Sequence, residues 1–106
     1  MSGLRTEFAE LQISVERLLG LLEEAGESFW QNYLTRGQHQ IVQHKLSGAT
    51  YVLGCFGGAN TLSDLVIGRE WMESDPQRFA NLNARLGELR TAVFTAANQI
   101  TSRQSW

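Results

Sequence analysis

The chain has 106 residues, 42% of them hydrophobic and 19% charged, with a formal net charge of -2. That is one domain's worth of ordinary globular sequence, too apolar to be disordered and large enough for one modest core. The scattered basic residues form no stripe for a nucleic-acid backbone, no apolar run approaches the roughly 18–20 residues of a membrane span, and the lone Cys55 excludes an intrachain disulfide.

The opening residues Met1 to Arg5 carry no basic segment followed by an apolar one, so no signal peptide is expected and the cytoplasm is the default location. Leu4, Phe8, Leu11, Val15, Leu18 and Leu22 recur in steps of three and four, which predicts a core-facing helix. Gly26 is its natural left-handed stop. The same stripe is long enough to serve a homodimer.

A short second helix is expected from Glu27 or Ser28, with Phe29, Trp30, Tyr33 and Leu34 as an aromatic face and Gly37 as its terminator. A third helix should run from about Gln38 to Cys55 and bury Val42, Leu46, Ala49, Leu53 and Phe56. The helical spacing then stops at Phe56-Gly57-Gly58-Ala59-Asn60-Thr61-Leu62-Ser63-Asp64, where small and turn-forming residues replace it. Gly57, Gly58, Asn60 and Asp64 are the expected turn-structuring residues, with the Asp64 side chain accepting backbone N–H groups.

Leu62, Leu65, Val66 and Ile67 predict one helical turn against the core, started by Thr61 or Ser63 and ended by Gly68. Asp75-Pro76 is a helix start: Asp caps, and Pro occupies the first position, where its missing N–H costs nothing. Phe79, Leu82, Leu86, Leu89, Val93, Ala96 and Ile100 trace the last helix, followed by a frayed tail from Thr101 to Trp106. No alternating run suggests a sheet. The expectation is an all-α single domain over residues 1–106: a compact bundle of three long helices plus one or two short ones, with the Gly-Gly turn between helices 3 and 4.

Gly20, Gly48 and Gly87 fall inside expected helices, each costing roughly 0.5–1 kcal/mol against Ala. Close helix–helix approach is one reason to keep them; a tolerated glycine on a solvent face is the other.

Candidate chemistry is sparse. His39 and His44, five apart on one helix, would point about 140° away from each other and share no metal. Cys55 lacks the glycine spacing of a nucleophile elbow, and its place at the C-terminal end of the expected helix would raise a thiol's pKa rather than lower it. No phosphate-loop motif is present, and no basic residue lies between Gly54 and Ile67. The carboxylates remain: Glu23, Glu24 and Glu27 at the first junction, Glu70, Glu73 and Asp75 before the last helix, and Asp64 in the turn.

Residues 56–67, Phe-Gly-Gly-Ala-Asn-Thr-Leu-Ser-Asp-Leu-Val-Ile, resemble the F-G-G-M-G-S-L-N-D-L-V-L segment of an uncharacterised family of small bacterial helical proteins, a domain of unknown function. The upstream Trp30 to Leu34 and the downstream Phe79 to Ile100 are similar to its flanking helices. Ala59, Asn60, Thr61 and Ser63 depart from the segment. The resemblance implies a helical fold and a bacterial cytosolic origin, and no activity.

The expected function is a non-catalytic protein-binding domain, without metal or cofactor. Its sharper form is a bacterial immunity protein that neutralises a cognate toxin, since acidic helical surfaces can mask basic active sites. The contact surface would comprise Glu23, Glu24, Glu27, Glu70, Trp71, Glu73 and Asp75. The alternative is a small-ligand-binding or regulatory domain with a pocket beside the Gly57–Asp64 turn, lined by Trp30, Tyr51 and Trp71 with Asp64 inside. An enzyme using Asp64, His44 or Cys55 ranks last.

Overall fold

A computed structural model describes residues 2–56 and 61–104, with side chains for 5–56 and 61–102. Helix α1 spans Ser2–Glu24, α2 Ser28–Val42, α3 Leu46–Leu53 and α4 Pro76–Gln104. Single 3-10 turns occupy Gly54–Phe56, Leu62–Asp64 and Arg69–Trp71, and no β-strand occurs among the described residues. The protein is all-α. Gly57, Gly58 and Asn60 lie outside the described residues.

Helices α1 and α4 pack along each other, α2 covers α1, and α3 bridges α2 and α4. The apolar stripe of α1 is buried at Phe8, Leu11, Val15, Leu18, Leu21 and Leu22. It meets Leu82, Leu86, Val93, Ala96, Ala97 and Ile100 of α4 in one core, which Leu34, Ile41, Ala49, Val52, Cys55, Leu62 and Ile67 complete. Each large side chain removed from water there contributes roughly 1.5–3 kcal/mol. Helix α4 extends to Gln104, and Ile100 in its last turns is fully buried.

Both junctions of the first three helices use one hydrogen-bond pattern. After α1, Gly26 takes φ +74°, its N–H donates to Glu23 O at 3.1 Å, and the Glu27 N–H donates to Leu22 O at 2.9 Å. After α2 the same pair recurs: His44 N–H to Ile41 O at 2.9 Å and Lys45 N–H to Gln40 O at 3.0 Å. These are Schellman caps, which satisfy carbonyls that the helix end leaves unpaired. The second is built on a residue with a Cβ, since His44 has φ +57°. Its ring stacks on the buried Phe8 ring, with centroids 5.2 Å apart and planes 9° from parallel, a contact that offsets the left-handed backbone.

The break between α2 and α3 therefore falls at residues 43–45, and not at Gly37 as the sequence suggests. Gly37 lies inside α2 because α3 crosses it there. A Cβ on Gly37 would sit 2.9 Å from Tyr51 Cδ1, and one on Gly48 would sit 2.8 Å from the Ile41 backbone nitrogen. Tyr33 and Tyr51 stack beside this crossing at 4.6 Å. The displaced break also exposes Val42 (52%) and Leu46 (41%), which a continuous helix over 38–55 would have buried.

Gly87 does not mark a close approach: nothing lies within 4 Å of its hypothetical Cβ, nor of that on Gly20. Gly87→Ala should therefore raise stability by about 0.5–1 kcal/mol, whereas Gly48→Ala should lower it by about 1–3 kcal/mol through overpacking; urea unfolding midpoints test the opposite signs. At the second cap, His44→Ala keeps the strained backbone and loses the stack, so it should cost about 1–2 kcal/mol. His44→Gly relieves the strain and should cost less, and equal losses in thermal melts would contradict this account of the cap.

Candidate functional site

The segment between the 3-10 turn at Leu62–Asp64 and the start of α4 has little regular structure, so its backbone groups need partners from elsewhere. Two side chains of α4 supply them. Asn83 accepts the Ile67 N–H at 3.0 Å and donates to Ile67 O at 2.8 Å and to Phe79 O at 2.9 Å. Arg90 donates to Leu62 O at 3.1 Å and Leu65 O at 3.4 Å. With Leu62 and Ile67 fully buried as pegs, residues 62–67 are fastened to α4.

Gly68 then takes φ +70°. It starts the next 3-10 turn, at Arg69–Trp71, rather than ending the previous one, and a Cβ there would sit 2.8 Å from Leu82 Cδ1. Thr61 stands at the N-terminal end of the Leu62–Asp64 turn without a side-chain cap hydrogen bond. Its hydroxyl pairs with Ser63 at 2.8 Å.

This fastening lays the segment across the α1–α2 junction. Between them lies an open cleft of about 390 Å³, lined by Glu27, Trp30, Thr61, Asp64, Leu65, Val66, Gly68, Arg69 and Glu70. Carboxylates from three places in the chain share it with one guanidinium and one indole. Tyr51 and Trp71, expected as walls, are not among the lining residues. Tyr51 is stacked on Tyr33, and the Arg78 guanidinium lies 4.1 Å above the Trp71 ring. Phe29 stands at the start of α2, 68% exposed and edge-on to Trp30 at 5.1 Å.

A second concavity, of about 330 Å³, opens on the α4 side of the same junction, lined by Glu24, Asp75, Gln77, Arg78, Asn81, Leu82 and Arg85. Two of its carboxylates have structural partners. Glu24 pairs with Arg85 at 3.4 Å, an exposed ion pair of modest value. Asp75 caps α4 by accepting the Arg78 N–H at 3.1 Å. The two acidic clusters thus meet in space: Glu27 with Glu70 in the first hollow, Glu24 with Asp75 in the second. Glu23 and Glu73 are exposed and line neither.

The remaining candidates for chemistry are dispersed. His39 lies in α2 and His44 in the following turn, so the two do not share a helix. Among the described residues no three His, Cys, Asp or Glu side chains are grouped to hold a metal ion. Cys55 is 1% exposed, with the Tyr51 carbonyl 3.9 Å from its sulfur. Burial pushes its thiol up from 9.0 to about 12. Burial, and then the neighbouring Cys55 and Tyr51, also raise the Tyr33 hydroxyl.

Sequence reading missed Arg90 and Asn83. Both look like ordinary solvent-face residues of a long helix, and the one available signal was the absence of any cation near a turn rich in backbone acceptors. No family model, curated protein or solved structure matches the chain. No helix of the described residues is long and apolar enough to cross a membrane.

The buried thiol yields a test. Near pH 9.0, its ordinary value, Cys55 should resist alkylation in the native protein and react fully once unfolded. Between 9.0 and about 12 the folded state keeps a proton that the unfolded chain releases, so stability should fall as pH rises through that window. Rapid native labelling, read by intact mass, would contradict the buried placement.

Proposed function

We propose that this chain is a non-catalytic protein-binding domain and that it binds through the end of the bundle where the α1–α2 junction meets residues 61–75. One observation carries the reading. Glu27 and the sequence-distant Asp64 and Glu70 share a cleft with Trp30, and Phe29, the most exposed large apolar side chain among the described residues, stands beside it. Aromatic anchors flanked by charge are what protein interfaces use, the ring supplying desolvated area and the carboxylates selecting a basic partner. Trp71, Glu73 and Glu23 extend the surface. Asp75 and Glu24 belong to its scaffold, because one caps α4 and the other holds Arg85.

In its sharpest form the proposal is an immunity protein whose acidic face covers the cationic active site of a cognate toxin. The bacterial cytosolic setting belongs to the same proposal and rests on the resemblance of residues 56–67. A second reading, a small-ligand or regulatory domain, is favoured by the size of the cleft alone, since about 390 Å³ falls within the range of ligand pockets.

Charge reversal at Glu27 and Glu70 separates binding from folding, because neither side chain has a hydrogen-bond or ion-pair partner among the described residues. The double variant E27K/E70K and, separately, F29A should keep the native melting profile and lose capture of a stoichiometric basic protein, by about tenfold or more in affinity. Capture that survives both variants would discard this surface. A retained small molecule in native mass spectrometry, in place of a protein, would decide for the second reading.

A further inference from the structure

Another face of the bundle has charges and bare backbone that the monomer does not use. Helices α1 and α4 flank a groove of about 520 Å³, lined by Arg17, Gly20, Leu21 and Glu24 from α1 and Arg85, Glu88 and Leu89 from α4. On α1 these residues follow the i, i+3, i+4, i+7 pattern of one helix face. Leu21 is buried and Leu89 half-buried, so apolar surface forms the floor and charge forms the rim.

The rim holds two guanidiniums and two carboxylates. Glu24 and Arg85 pair with each other across the groove. Arg17 and Glu88 have no ion-pair partner among the described residues, although they stand on facing helices. Gly20 bares the α1 backbone in this groove, with open space where a Cβ would be, and Gly87 on α4 is equally uncrowded. Gly37 and Gly48 are kept by internal contacts; Gly20 and Gly87 have none, yet each costs helix stability.

We infer that this groove is a self-association surface and that its occupant is a second copy of the chain. The argument is charge complementarity. A twofold interface uses one patch on both subunits, so the patch must complement itself. A rim of two cations and two anions does so, whereas a foreign basic or acidic partner would find half of it repulsive. With the twofold axis along the groove, α1 of each copy lies against α4 of the other. Arg17 of one copy then faces Glu88 of its mate, twice by symmetry, and the bare backbone at Gly20 allows close approach. The groove shares no lining residue with the acidic cleft, although Glu24 and Arg85 also line the second concavity at that end.

Sedimentation velocity of the full chain over a concentration series tests the inference. The native chain should dimerise, and more weakly at high salt. R17E should raise the dimer dissociation constant by about tenfold or more, and the double reversal R17E/E88R should restore it. G20Q fills the groove without disturbing the core and should also give a monomer, with circular dichroism confirming that its helices are intact. A native chain that stays monomeric throughout overturns the inference. So does a dimer indifferent to R17E and G20Q, a double reversal that remains monomeric while folded, or native mass spectrometry showing a different polypeptide in the groove.

Discussion

The amide of Asn83 donates and accepts toward the same residue, pairing with both the N–H and the carbonyl of Ile67. A neighbouring strand would satisfy an extended backbone in this way; here a helix side chain does it. The constraint matters because residues 61–75 must return from α3 to the start of α4 with only two single 3-10 turns to absorb their polar groups. Arg90 does the same work one element earlier, at Leu62 and Leu65. Without these two side chains the buried Leu62 and Ile67 would lose the register that lays Asp64 and Glu70 opposite Glu27. The cleft, and the meeting of the acidic clusters, rest on that register.

The glycines divide by what surrounds them. Gly26 and Gly68 occupy left-handed backbone, Gly37 and Gly48 allow α2 and α3 to cross, and Gly20 and Gly87 face open space. Only the first use is a property of the local chain. At the end of α2 the left-handed position goes to His44, which compensates by covering Phe8. The same cap at two junctions, once with glycine and once with histidine, shows that hydrogen-bond geometry selects the turn and that the residue in it follows from what the ring or the missing Cβ offers nearby.

Charge is spread unevenly over the surface. At the acidic end, Glu24, Asp75, Arg85 and Arg78 are tied to one another, to a helix end or to an indole, and they hold the shape. Glu27 and Glu70 have no such internal task, which is why the binding reading centres on them and on the aromatic pair Phe29 and Trp30. Along the α1–α4 groove the balance is neutral and both signs alternate, which suits a copy of the same surface. The two faces therefore differ in charge: carboxylates outnumber cations in the cleft, and the two signs balance in the groove.

Much of this could be read from residues close together in the chain. The apolar steps of α1 and α4, the stop at Gly26 and the Asp75-Pro76 start all encode themselves within one or two helical turns, where periodicity and capping act. The end of α2 could not be read this way, because His44 is tolerable in that backbone only against Phe8, on another helix. The reach of Asn83 and Arg90 to residues 62–67, the crossing at Gly37 and Gly48, and the sharing of one cleft by Glu27, Asp64 and Glu70 were likewise decided by tertiary structure. Each depends on which surfaces the chain brings together when it folds back, and helical spacing carries no record of that.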